Sequence, residues 1–448
     1  MNRTKPSDGP VVTVVGGGLA GSEAAYQIAR RGVRVRLFEM RPQVMTPAHV
    51  SDRLGELVCS NSLGGDGGLS PAALLKAELR MAGSLVLEAA EAARVPGGQA
   101  LVVDRERFAE AVTERLLAHP LVEVVREVVA EVPEPPAVIA TGPLTAPPLA
   151  AALERLLGER ALAFFDAASP VVFADSVDMT RAFWDSREGT GDYLNCPLTR
   201  EEYERFVREL VAAEQHPLHE FEDVTFFEGC LPIEELARRG PRTPLFGPMR
   251  PVGLVDPATG RRPYAVVQLR RDNAAGSLLS LVGFQTNLRW GEQKRVFGLI
   301  PALAHAEYAR YGVMHRNTYL RSPRFLDPDL SVRGRPGLWL AGQMTGVEGY
   351  VESAAGGLLA GINAVRWLRG QASLVLPADS MWGALMQYIS RADPDHFQPM
   401  NTNFGLLPPA GRPGDDKRAR RAAARERALA ALAAALRQAG EEGDHERG

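Results

Sequence analysis

The sequence predicts an α/β fold in which a Rossmann-like nucleotide-binding domain is interrupted by an α+β insertion. Three stretches carry the prediction. A glycine motif at 16–21 joins an apolar run to a helix-like segment. A second apolar run ends in Ala140-Thr141-Gly142. A third, Gly337-Leu338-Trp339-Leu340-Ala341-Gly342-Gln343, leads into a long stretch of small residues.

Val11–Val15 has the unbroken apolar character of a buried parallel strand. It runs into Gly16-Gly17-Gly18-Leu19-Ala20-Gly21, a GxGxxG at Gly16, Gly18 and Gly21. Residues 22–29 read as a helix closed by Arg30-Arg31-Gly32, and residues 33–38 as a second strand ending on Glu39. Two glycines allow a tight turn and close approach to a pyrophosphate, and the third lets helix and strand pack closely. The helix N-terminus then offers free N–H groups and partial positive charge to the phosphates. Glu39, 21 residues beyond Gly18, stands where a carboxylate accepts from ribose hydroxyls.

The strand ending in Thr141-Gly142 resembles the second signal of the two-dinucleotide-binding flavoproteins, so FAD is the expected cofactor. Gly342, Gln343, Gly346 and Tyr350 belong to the third stretch, where small residues would bring a helix close to a flat ligand. That helix N-terminus would favour negative charge on a reduced flavin. The flavin domain is therefore expected in two parts, 1–165 and 321–448, around an insertion at 166–320.

The chain has 448 residues, 45% hydrophobic and 23% charged, as in soluble globular proteins of more than one domain. No apolar run approaches the roughly 18–20 residues that span a bilayer, and the polar first ten residues leave no room for a secretory signal. Cys59, Cys196 and Cys230 are the only cysteines. They form neither a disulfide framework nor a zinc cluster, so a reducing cytoplasm is expected and a metal is not. With net charge −3, nucleic acid would need a local basic patch.

Cys59 lies in Val-Cys-Ser-Asn-Ser-Leu-Gly-Gly (58–65), about where flavin disulfide reductases carry a Cys-x4-Cys pair. The partner position holds Gly64, which excludes dithiol chemistry and leaves a single thiol suited to nucleophilic or acid–base work. Cys230 precedes Pro232-Ile233-Glu234-Glu235-Leu236-Ala237-Arg238-Arg239-Gly240, a short helix by its proline start, acidic first turn, basic last turn and glycine stop. A thiol just before such a helix is biased toward thiolate, against the opposing charge of Glu228, Glu234 and Glu235. Cys196 has no comparable setting and reads as structural.

Eight arginines and one acid, Asp256, fall between Leu236 and Arg271, in a proline-punctuated stretch that reads as loops. Arginine in such loops suits phosphate contact and base stacking, and beside Cys230 it suggests an RNA-facing rim, with Arg238, Arg239 and Arg242 nearest. Residues 417–427 add six cations in an alanine-rich helical stretch, read mainly as a solvated helix with RNA contact open.

These residues match a known family. The runs GGGLAGSEAA, LFEMRP with TPAH, VCSNSLGG, VDRERF, ATGPLT, DAASP, DYLNCPL, FFEGCLPIEELARRG, LFGPMRPVGLVDP, YGVMHRNTYL and GVEGYVESAAGGLLAG resemble the folate- and FAD-dependent tRNA (uracil-5-)-methyltransferases. The resemblance implies methylation of uridine 54 in the tRNA T loop. Methylenetetrahydrofolate would supply the carbon, reduced FAD the electrons, and NADH or NADPH would regenerate the flavin. It implies two functional cysteines, Cys59 and Cys230, one adding to uracil C6 and the other moving a proton. Cys230 as nucleophile is favoured by the adjoining arginines, and the reverse stays open. Tyr350 would cover the flavin, and His315 and Asn317 would contact the pterin. No obligatory protein partner is implied. The alternatives are a related wobble-uridine modifier and a flavoprotein that binds tRNA without methyl transfer.

Overall fold

The computed structural model describes residues 9–159, 162–187, 189–216, 231–412 and 414–441, with the backbone alone at 162–166, 315 and 316. Five parallel strands form one sheet in the order Leu338–Leu340, Ala137–Ile139, Val11–Val15, Arg34–Glu39 and Val122–Arg126. Val15 sits beside Phe38 on one side and Ile139 on the other, and Leu340 beside Ile139. The three stretches that predicted the fold therefore leave the carboxyl ends of three adjacent strands. In open α/β sheets that edge is where nucleotides bind.

The first helix, Leu19–Arg30, starts directly on Gly18 with no side-chain cap. Gly21 is obligatory, since a Cβ there would lie 1.7 Å from the Gly16 carbonyl oxygen. The helix Tyr350–Leu368 packs along it. A Cβ on Gly357 would meet the Ala20 carbonyl oxygen at 2.0 Å, and one on Gly361 the Ala24 oxygen at 2.8 Å. Gly357 and Gly361 thus serve helix–helix contact, a use that the sequence reading did not separate from approach to a flat ligand.

A six-stranded antiparallel sheet, running within residues 171–310, carries the second core. Its long strand, Ala265–Arg271, pairs with Tyr193–Leu198 on one side and Leu278–Leu281 on the other. Phe206, from the helix Arg200–Ala212, packs with Phe284 and Phe297 at centroid distances of 6.1 and 6.5 Å, and those two rings lie 5.6 Å apart. Cys196 is fully buried in this core, and burial pushes its thiol pKa far up, as a structural cysteine requires. Smaller sheets, Ser62–Gly65 with Ala100–Val103 and Arg94–Val95, and Leu162–Ala167 with Met314–Tyr319, complete the strands. No helix among the described residues is long and apolar enough to cross a membrane.

Candidate active site

An elongated cleft follows the carboxyl edge of the parallel sheet. Gly16, Gly17, Gly18, Leu19 and Ala20 line one end with Glu39 and Arg41, Thr141 and Gly142 line the middle, and Gly342, Gln343 and Tyr350 the far end. A Cβ on Gly18 or Gly142 would meet nothing within 4 Å, so both glycines leave open room. The opposite holds at Gly17, where a Cβ would come within 2.5 Å of Leu54 and 2.8 Å of Glu39. Uncapped helix N–H groups, open glycines and an acid at the strand end fit a long dinucleotide such as FAD.

Glu39 is 6% exposed and already bonded. Oε2 accepts from the Gly17 N–H at 2.8 Å, and Oε1 from the Arg41 N–H at 3.0 Å and Nε at 2.9 Å. Burial raises its pKa, but Arg41 and Gly17 together outweigh this and hold the carboxyl below its ordinary range. A carboxylate has about four acceptor sites, so a ribose hydroxyl would share Glu39 with the glycine loop.

Beyond Tyr350 the cleft continues into a second pocket, lined by Cys59, Ser60, Leu63, Gly64, Asn317, Gln343, Glu352 and Thr402 among others. Val58, Pro143, Leu144, Gln343 and Tyr350 border both pockets. The structure thus brings together Cys59, Tyr350, Gln343 and Asn317, four residues singled out from distant parts of the sequence. The Tyr350 hydroxyl accepts from the Cys59 N–H at 2.7 Å and the Ser60 N–H at 3.1 Å. Burial, reinforced by the neighbouring thiol, raises its pKa, so it stays a neutral phenol that can also donate. The Cys59 thiol is half-buried and lies 3.6 Å from the Ala167 carbonyl oxygen.

Other expected residues lie elsewhere. Gly346 does not line the cleft; its φ of 86° closes a turn, and a Cβ there would strike the Phe397 ring at 2.4 Å. Cys230 and the side chain of His315 lie outside the described residues. The helix expected after Cys230 spans Ile233–Arg239, with Pro232 as its N-cap and Gly240 as its C-cap. Arg238 and Arg239 are exposed on its last turn, Arg238 paired with Glu235. Arg242, also exposed, lines a separate groove with Arg200, Arg208 and Tyr264.

The arginine stretch is not one continuous rim. Arg270 and Arg271 end the strand Ala265–Arg271, and Arg270 is only 8% exposed. Its guanidinium donates to Asn61 Oδ1 from Nε at 3.2 Å and Nη2 at 2.8 Å. Asn61 Nδ2 donates in turn to the Arg271 and Val103 carbonyls at 2.9 and 3.0 Å. Arg105 pairs with Asp272 at 3.1 Å and donates to the Leu57 carbonyl at 3.2 Å and the Cys59 carbonyl at 3.5 Å. These residues fix the Cys59 loop to the strands Ala100–Val103 and Ala265–Arg271, a role missed from sequence. The run Ala265-Val266-Val267-Gln268-Leu269 before Arg270 is the signal that marks a strand rather than a loop.

Residues 11–372 match the family described as glucose inhibited division protein A. A methylenetetrahydrofolate–tRNA-(uracil-5-)-methyltransferase of Moorella thermoacetica is 59% identical over 427 residues, 94% of this chain and 96% of that protein. A protein of the same name from Thermus thermophilus is 57% identical over 95% of this chain and 96% of its own length. Among solved structures, Aquifex aeolicus GidA superposes with a TM-score of 0.68 at 16% identity, covering 97% of this chain and 76% of that one. At that identity the likeness speaks to fold alone.

Proposed function

The chain belongs to the glucose inhibited division protein A family and, within it, to the methylenetetrahydrofolate–tRNA-(uracil-5-)-methyltransferases, and from that premise we propose that it forms 5-methyluridine at position 54 in the tRNA T loop. Methylenetetrahydrofolate is the carbon donor, FAD the bound cofactor, and NADH or NADPH the source of electrons. The observation that carries this reading is the continuity of the dinucleotide cleft with the pocket lined by Cys59 and Asn317.

Uracil C5 is a poor nucleophile until a thiolate adds at C6 and converts the C5=C6 double bond to an enolate. After C5 takes up the one-carbon unit, its proton leaves and the C6–S bond breaks, which restores the double bond and frees the thiol. FAD, when bound and reduced, supplies the two electrons that bring the carbon from the methylene to the methyl level. Gly16–Ala20, Glu39, Thr141, Gly142, Gly342 and Gln343 would hold it. Cys230 adds to C6 and Cys59 moves the C5 proton. The Tyr350 hydroxyl, by accepting from the Cys59 and Ser60 N–H groups, keeps that thiol at the pocket wall. Asn317 and His315 contact the pterin, and Arg238, Arg239 and Arg242 the RNA backbone.

Transfer RNA carrying 5-fluorouracil tests the assignment, because fluorine at C5 blocks loss of the substituent and traps the C6 adduct. The reading expects an SDS-stable complex that Cys230→Ala abolishes and Cys59→Ala retains. Loss in Cys59→Ala with retention in Cys230→Ala reverses the two roles. Absence of the adduct in the parent protein overturns the nucleophilic step. Modification at the anticodon rather than position 54 would point to the wobble-uridine alternative.

A further inference from the structure

Phe246 is the most exposed large aromatic side chain among the described residues, at 76%. It ends the short turn Thr243–Phe246, which is rigid. Pro244 is buried and Met249 wholly so, and the Pro244 carbonyl accepts from the Gly247 and Met249 N–H groups at 3.1 and 2.9 Å. The ring is therefore presented outward from a hydrogen-bonded turn whose inner side is buried.

The segment that carries it is cationic. Arg242, Arg250, Arg261 and Arg262 are all exposed in the same 242–262 segment. The only acid there, Asp256, is taken up by its own turn, accepting from the Ala258 N–H at 2.9 Å and the Thr259 hydroxyl at 3.3 Å. Arg242 also edges the groove that contains Tyr264. A flat exposed ring on an arginine-rich segment matches the chemistry of a stacked base flanked by phosphates. A second copy of the same surface would be repelled by its charge.

The turn that carries Phe246 stands apart from the Cys59 loop, since the Met249 carbonyl that closes it accepts from the Val266 N–H at the start of the long strand. Tyr264 immediately precedes the strand Ala265–Arg271, whose far end bonds to Asn61 beside Cys59. Six residues of strand at about 3.3 Å each put this groove roughly 20 Å from that loop. We propose that Phe246 is a stacking platform for an unpaired RNA base outside the Cys59 pocket, with the arginines of its segment holding the adjoining phosphates. The inference rests on the tRNA-modifying role above and adds a second anchoring point to it.

The test is binding of an unmodified tRNA transcript to the flavin-loaded full chain, followed by fluorescence anisotropy at several salt concentrations. Phe246→Ala should weaken binding about 5- to 100-fold, the range for one base–aromatic stack. The slope of log affinity against log salt should match the parent, since no charge is lost, and Phe246→Trp should restore affinity. Arg250→Ala should lower the magnitude of that slope by about 0.7–0.9. Parent-like affinity in Phe246→Ala, or failure of Phe246→Trp to restore it, overturns the proposal. So does a change in assembly mass on sedimentation of Phe246→Ala, which would mean that a second copy covers the ring. Methylation by the parent on the same transcript is scored separately, so failure of the reaction and failure of the stacking contact are distinguishable.

Discussion

Asn61→Ala removes four hydrogen bonds at a site with no exposure to solvent. The carbonyls of Val103 and Arg271 lose a donor each, and Arg270 loses the acceptor that two of its N–H groups share. Arg270 is itself buried, and that burial pulls its guanidinium pKa below the ordinary value, so the charge is left with only the Tyr193 hydroxyl and the nearby Asp272 to offset its desolvation. A hydrogen bond to a charged group contributes about 1.5–3 kcal/mol, and leaving a buried neutral acceptor unpaired costs about 1–3 kcal/mol each. Water entering the vacated space would recover part of this, which leaves an expected loss of about 3–5 kcal/mol. Asn61→Asp keeps the acceptor for Arg270 and forfeits only the donated pair, so it should lose less. Urea unfolding followed by intrinsic fluorescence measures both. A loss below about 1 kcal/mol in Asn61→Ala, the size of one ordinary hydrogen bond, would refute the view that this clasp ties the Cys59 loop to the antiparallel sheet.

Other outcomes follow from the same geometry. Tyr350→Phe leaves the part-buried Cys59 and Ser60 N–H groups without their acceptor; at about 0.5–1.5 kcal/mol for each bond, turnover should fall roughly 5- to 100-fold, read by steady-state methylation. A thiol reagent under native conditions should label Cys59, which lines a pocket, and spare the fully buried Cys196, as peptide mapping would show. Lys76 is wholly buried, and burial lowers its pKa to about 8; its Nζ donates to the Gly65 carbonyl at 2.7 Å. Because the folded pKa lies below the unfolded value, the unfolded chain binds more protons between pH 8 and 10.5. Stability relative to Lys76→Met should therefore rise across that window, by at most about 3 kcal/mol, and stay flat below it. A relative stability that falls as pH rises would contradict the assignment.

What the sequence revealed and what it hid divide along chain distance. The glycine loop, Thr141-Gly142 and the strand at 338–340 are each local strand–turn units, and parallel pairing then brings their ends together. Tyr350 and Cys59 could be named from sequence, but not the hydrogen bond that joins them across 291 positions. Gly357 and Gly361 were legible as small but not as small for a purpose, because a helix and a flat ligand demand the same lack of side chain. Arg270 looked like its exposed neighbours, since the residue that buries it, Asn61, lies 209 positions away. The interior of the antiparallel sheet left only a general α+β pattern in the sequence.

Transfer of label from isotopically labelled methylenetetrahydrofolate to an unmodified tRNA transcript, by the flavin-loaded protein with NADH or NADPH, tests the reaction outright. Labelled 5-methyluridine at position 54, absent when S-adenosylmethionine replaces the folate, is the predicted result. Unlabelled uridine at that position after complete flavin reduction, or methylation that proceeds from S-adenosylmethionine alone, would contradict it.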